Sequence, residues 1–318
     1  MSSVTLAESA KLAQDELVQG IIENIITVNQ MFAVLPFDEI DGNALAYNRE
    51  NALGGAGIFG VGDTIADADT NPISGESAGA KAPATFTQTT SGLTSIIGDA
   101  EVNGLIQATR SGNNDQTGVQ IASKAKHCGR IFQYMLINGT GAGDQFDGLI
   151  NLCASGQTIS AATNGTALAL ATLDNLIDLV TAKDGYVDYF AMHARERRAY
   201  RTLLRALGGA SVTEVVELPS GESVMSYSAI PIFRNDYIPI TATQGNVSTA
   251  SYVFAGTFDD GSRSNGLAGL TAANFSGINV VDVGEKEAAD EHLWRVKWYA
   301  GLALFSEKGL AMASGIIP

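Results

Sequence analysis

Leu136-Ile-Asn-Gly-Thr-Gly-Ala-Gly-Asp-Gln-Phe-Asp-Gly-Leu149 is the stretch whose reading decides the fold. Upstream of it Val119, Ile121, Ala122, Ala125, Cys128, Ile131, Phe132 and Met135 recur at helical spacing, with Lys124, Lys126 and Arg130 as the other side. A long helix that meets Asn138-Gly139 has to reverse, and Gly139, Gly141 and Gly143 supply the backbone freedom to do so within a few residues. Phe146-Asp-Gly-Leu149 then re-enters apolar surroundings.

The surrounding chain has 318 residues, of which 45% are hydrophobic, enough for a sizeable core. Its 35 glycines fall in clusters, so loops are a major part of the design. The formal charge of −15, from 19 basic and 34 acidic residues, argues against a protein whose main task is to grip phosphate backbones. Cys128 and Cys153 have no ligand spacing and read as reduced buried thiols. The N-terminus has no basic region followed by an apolar block, and no stretch approaches the ~20 apolar residues of a membrane span, so synthesis in the cytosol is expected.

Leu6, Ala10, Ala13, Leu17, Ile21, Ile25 and Val28 line one face of a helix that Pro36 closes. Such an arm either docks on its own core or lies across a neighbouring chain. From Asp38 to Thr90 the glycines Gly54, Gly55, Gly57, Gly60, Gly62, Gly75 and Gly79 break any helix, and eight acidic residues face only Arg49 and Lys81. This span reads as a long projecting hairpin flanked by the threonine-rich strand Thr85 to Thr94. Helix is expected from Val102 to Ile137 in two pieces, parted at Ser111 to Asp115, where the polar residues suit an N-cap. Beyond the turn, helix at Leu168 to Ala182, strand at Tyr186 to Met192 and helix at Ala194 to Leu207 imply a layered α/β subdomain. Strands are expected near Ser228–Ile232, Tyr252–Ala255 and Ile278–Val283, with a final pair at Leu293–Tyr299 and Gly301–Ser306.

Three motifs suggest chemistry. Gly75-Glu-Ser-Ala-Gly79 matches the nucleophile elbow of hydrolases, but the elbow needs a buried strand before Ser77 and a helix after it, and neither is expected. Gly55-Ala-Gly-Ile-Phe-Gly60 matches a dinucleotide fingerprint, but Ala46 to Ala52 is no apolar strand and no helix follows. His127, His193 and His292 form no ligand pair, so no metal, cofactor or catalytic residue is assigned. Arg195, Arg197, Arg198, Arg201 and Arg205 crowd one helix, and on an acidic chain they read as partners for carboxylates, within or between subunits, rather than as a nucleic-acid helix.

Taken in order, these parts resemble the tailed-phage major capsid proteins of the Hong Kong 97 type. The resemblance rests on the helix exit at Asn138-Gly-Thr-Gly-Ala-Gly-Asp144, on Ala191-Met-His-Ala-Arg-Glu-Arg-Arg-Ala-Tyr200 and on Met225 to Asn235. It also rests on Trp294 to Phe305 with Ala311 to Gly315, similar to two closing strands packed on the spine. One departure stands at Ala229-Ile-Pro231-Ile232, where that type often has Gly-x-Pro-Val. The resemblance implies an α+β fold with an N-terminal arm (1–37) and an extended loop (38–92). A peripheral domain (93–138 and 277–318) would carry the spine helix 114–137, and an axial domain would cover 139–276.

It further implies a structural subunit, not an enzyme, that assembles with copies of itself as pentamers and hexamers. The resulting icosahedral shell would enclose double-stranded DNA in a virion put together in the host cytoplasm. Scaffold, portal and decoration proteins would be its further partners. Inter-subunit contacts are expected at Leu17, Ile21, Phe59, Lys81, Arg197 and Arg201. Lys81 lies beside Pro83 at the loop base, which does not suit the lysine-to-asparagine cross-links of some relatives. An encapsulin-like compartment, and more distantly a hydrolase using Ser77, are the alternative readings.

Overall fold

The computed structural model describes residues 30–62, 81–110, 115–182, 185–206, 215–217, 221 and 223–318. Helix α1 (Gln30–Val34) gives way to strand β1 (Phe37–Ile40), with Pro36 between them, whose missing N–H cannot continue a helix. Strands β2 (Ala44–Ala52) and β3 (Thr85–Gly92) form a two-stranded antiparallel ribbon. Strand β4 (Thr94–Asn103), helix α2 (Gly104–Arg110) and the long helix α3 (Gln116–Asn138) follow. Then come α4 (Leu149–Leu152), β5 (Thr158–Ser160), β6 (Thr166–Ala167), α5 (Leu170–Thr181), β7 (Tyr189–Met192) and α6 (Ala194–Ala206). The chain continues through β8 (Val215–Glu217), β9 (Ser223–Tyr227), β10 (Ile230–Arg234), β11 (Ala242–Gln244) and β12 (Val247–Gly256). It ends with β13 (Leu267–Ala272), β14 (Asn279–Glu285), β15 (Glu291–Leu304) and β16 (Leu310–Ile317).

The spine expected at 114–137 is α3, about 35 Å long at 1.5 Å per residue. Asp115 caps it, its carboxylate accepting the N–H groups of Thr117 and Gly118 at 3.2 Å. Ala122, counted on the apolar side, is exposed. The first helical piece starts later than Val102: Val102 pairs with His292 as part of β4, and the Asn103 side chain caps α2 by accepting the Leu105 N–H at 3.0 Å.

Five strands make the sheet under the spine, in the order β1-β13-β15-β14 with β4 on the free side of β15. The expected pair Leu293–Tyr299 and Gly301–Ser306 is instead the single strand β15. Ala300 pairs with Thr94 on one side and Thr271 on the other, so the ladder passes straight through Gly301. Glycine is required there because a Cβ would collide with the Gly92 carbonyl. Nine strands form the second sheet, whose main order is β5-β16-β12-β7-β10-β9-β8.

The last strand also departs from expectation. Ala311 to Gly315 does not close beside Trp294 to Phe305; a short turn at Glu307–Gly309 carries it to the second sheet, where Phe254 faces Met312. The sheets therefore do not divide at 276/277: β13 joins the spine sheet and β16 the other.

One core cluster runs between the sheets and the spine, and its centre is aromatic. Phe132 of α3 lies 4.7 Å from Trp298 of β15, 5.5 Å from Phe146, 5.7 Å from Phe32 and 5.6 Å from Phe37. A second cluster fills the opposite face of the nine-stranded sheet, where Leu173, Leu176 and Val180 of α5 and Tyr200 of α6 are buried.

Ser228 and Ala229, expected in a strand, form the two-residue turn between β9 and β10, with φ of 51° and 63°. That left-handed conformation costs an L-residue about 1–2 kcal/mol. It gives a physical reason for glycine at this position in other chains. Ala229→Gly removes that cost at an entropic penalty of about 0.5–1 kcal/mol. The substitution is expected to stabilise the fold by about 0.5–1 kcal/mol in a denaturant titration.

Candidate subunit interface

Alternation along β2 explains the ribbon. Leu45, Tyr47 and Arg49 are half-buried on one face while Ala46, Asn48 and Glu50 are exposed on the other, the period of two that strand geometry imposes. The inward face docks on the end of β15. Tyr47 donates its hydroxyl to the Leu304 carbonyl at 2.8 Å, and its ring meets Phe305 edge-on at 5.2 Å. Arg49 donates to the Phe305 carbonyl at 3.0 Å and to the Glu307 carboxylate at 2.8 Å, with its guanidinium 5.4 Å from the Tyr47 ring. Neither residue stood out as a contact in the sequence. The available signal was that Arg49 is one of only two basic residues in an acidic span.

Past Ala52 the described residues of the ribbon build no core cluster. Residues 53–62 form neither helix nor strand, and the Gly55 N–H bonds back to the Ala82 carbonyl at 2.8 Å. Leu53, Ile58 and Val61 are 58%, 76% and 110% exposed, and Phe86 is 65% exposed on β3. An exposed apolar group of this kind is a candidate contact surface. Phe59 is half-buried; Lys81, expected at the loop base, is exposed beyond the outer end of the ribbon, where Ala52 pairs with Thr85, and not at the base, where Ala44 pairs with Gly92. Leu17, Ile21 and the whole Gly75–Gly79 motif with Ser77 lie outside the described residues. Ala46 to Ala52, read as no apolar strand, does belong to β2, but that strand is half-exposed and no helix follows in 53–62, so no dinucleotide cradle forms.

The glycine reversal closes on itself. Gly139 donates to the Met135 carbonyl at 2.8 Å and Gly148 donates to the Gly139 carbonyl at 2.9 Å. A Cβ on Gly139 would collide with the Phe146 carbonyl, and one on Gly148 with the Met135 carbonyl. Asn151 bonds to Asp147 and, at 3.3 Å, to the Thr140 carbonyl, while Asn138 holds the Tyr237 carbonyl at 2.9 Å. Between this turn and the ribbon base lies a polar cleft of about 500 Å³, lined by Thr90 to Ser95 and by Gly141 and Gly143 to Asp147.

Arginines on α6 divide in two. Arg195 is spent within the subunit, on the buried Glu196 carboxylate at 2.8 Å and the carbonyls of Thr249 at 2.9 Å and Ile316 at 3.1 Å. Arg197 is half-buried, whereas Arg198, Arg201 and Arg205 are exposed. Burial pushes the thiols of Cys128 and Cys153 up, so neither is a ready thiolate. The Arg295 guanidinium holds the Asp99 carboxyl below its ordinary value. Among the described residues no group of three His, Cys, Asp or Glu side chains could hold a metal ion, and no helix is long and apolar enough to cross a membrane.

The Arg49 clamp generates a direct expectation. Arg49→Ala removes charged hydrogen bonds worth about 1.5–3 kcal/mol. Amide exchange should accelerate across Ala44–Ala52 and Thr85–Gly92 while the α3 amides keep their protection; unchanged ribbon exchange would contradict the clamp.

No family model and no curated protein matches the sequence. Solved structures do. The encapsulin SrpI of Synechococcus elongatus PCC 7942 superposes with a TM-score of 0.72 at 17% identity, over 99% of this chain and 97% of that one. The capsid of a native GTA particle gives 0.67 at 14% identity over 99% of each chain. A chain of Microbacterium phage Oxtober96 gives 0.65 at 16% identity over 100% of each. At such identities the likeness speaks for the fold, and the chain has the α+β fold of Hong Kong 97-type capsid and encapsulin proteins.

Proposed function

We propose that the chain is the major capsid protein of a tailed phage, assembling as pentamers and hexamers into an icosahedral shell around double-stranded DNA. The observation that carries this reading is the ribbon: a firmly clamped inner face and, beyond Ala52, the exposed apolar side chains of Leu53, Ile58 and Val61 among the described residues. Those exposed groups would gain burial against another chain, and closed symmetry would repeat that gain at every subunit. The net charge of −15 suits a lining that encloses DNA without gripping it. Scaffold, portal and decoration proteins are its proposed further partners, and the virion is its proposed place.

The encapsulin superposition supports a second reading, in which the same shell is a compartment for a protein cargo. Both readings need a shell and neither needs a catalytic residue. Negative-stain electron microscopy with size-exclusion chromatography of the purified protein tests what they share. Closed particles or five- and six-membered rings are expected, and a stable monomer that never assembles would contradict both. Packaged DNA in particles from the native source would favour the virion, and a co-purifying enzyme the compartment.

A further inference from the structure

In an acidic protein, a basic side chain without a carboxylate is informative. Arg49, Arg195, Arg234, Arg263 and Arg295 each pair with an acid of their own subunit. Arg198, Arg201 and Arg205 do not: all three are exposed along one ridge of α6, and among the described residues no carboxylate stands within ion-pairing distance of them. Spacings of three and four put them on one line of the helix surface. Among the described residues Arg201 donates to the Met225 sulfur at 3.1 Å.

The acidic counterpart is on the neighbouring helix of the same layer. Asp174 and Asp178 of α5 are exposed one turn apart, and α5 carries no basic residue. Asp174 accepts the Tyr227 hydroxyl at 2.5 Å, and the Asp178 carboxylate makes no hydrogen bond to a described residue.

We infer that the arginine ridge of α6 on one copy docks on the Asp174–Asp178 ridge of α5 on the next copy, in a head-to-tail contact. This inference rests on the shell reading and names one of its interfaces. Placement in the sheet supports it. Helix α5 lies over β16 and β12, whereas α6 lies over β7 and reaches β9 through Arg201 and through the Tyr200 hydroxyl, which donates to the Ser226 carbonyl at 3.0 Å. The strand order β16-β12-β7-β10-β9 therefore sets the body of the acidic helix toward β16 and the arginine helix toward β9, although Asp174 itself reaches across to Tyr227 of β9. A rotation that lays copies edge to edge brings unlike ridges together, and the contact is heterologous, so it closes into a ring when the rotation does. The same charges repel copies that meet like ridge to like ridge, which fixes the direction of association. Phosphate is the competing occupant of an arginine ridge, but two carboxylates on the adjacent helix and a net charge of −15 oppose it.

The test is charge exchange in the full chain, read by sedimentation velocity at low and moderate salt and by electron microscopy. R198E/R205E should associate about tenfold more weakly than wild type at low salt, and D174K/D178K likewise. The protein carrying all four changes should recover association. Asp178→Lys alone, which leaves the Tyr227 hydrogen bond intact, should weaken association in the same direction, and unchanged thermal melts separate these effects from misfolding. Wild-type-like association of R198E/R205E, or a loss that D174K/D178K does not repair, overturns the pairing and leaves the shell reading standing. Normal association with less co-purifying nucleic acid also overturns it, making the ridge a phosphate contact. A wild-type chain that stays monomeric at every concentration overturns the shell reading, and the pairing with it.

Discussion

Packing of Phe132 against Trp298, with ring centroids 4.7 Å apart and planes tilted by 40°, is the contact on which the placement of the other elements depends. It fixes the spine against the long strand β15, and β15 in turn pairs with β4, β13 and β14. Phe146 brings the glycine turn into the same node, and Phe32 and Phe37 bring in the start of the described chain. Trp298 is buried with no acceptor for its N–H among the described residues, a cost of about 1–3 kcal/mol. Three neighbouring rings, Phe32, Phe37 and Phe132, offset it through close packing. A rigid node of this sort lets one long helix serve as a common reference for two sheets.

From that node the molecule divides its residues by task. Both sheets bury continuous apolar clusters, so the body has what an independent fold needs. The ribbon contributes little to these two, but packs Leu45 and Tyr47 on a smaller third cluster of Ile40, Leu270 and Phe305. Its inner face is held by Tyr47 and Arg49 at the end of β15, and its outer part exposes Leu53, Ile58 and Val61 to solvent. Stability and reach are thereby separated: the body folds on its own packing, and in the proposed shell the exposed outer residues would meet a neighbour.

Local physics made part of this legible in sequence. The period of α3, the capping aspartate and the reversal through Gly139 are each decided within a few residues, and the structure has all three. Pairing between distant segments was less readable. Gly301 looked like a break between strands because glycine weakens a strand in isolation, yet the ladder runs through it, and the close approach of the Gly92 backbone requires it. The sheet that receives Leu310–Ile317 depends on a turn at Glu307–Gly309 whose direction no local pattern encodes. In the candidate interface the arginine cluster was visible, but not the split between Arg195, used within the subunit, and the exposed ridge beyond it. Arg49 was visible only as a rare charge, because its partners are backbone carbonyls more than 250 residues away.

The central claim is that the outer ribbon supplies reach and not core. Deleting residues 54–79 and comparing thermal melting with particle formation tests it most directly. The account predicts a melting curve close to that of the intact chain, with no closed particles in electron micrographs. Normal shells from the shortened chain, or a chain that no longer folds, would contradict it.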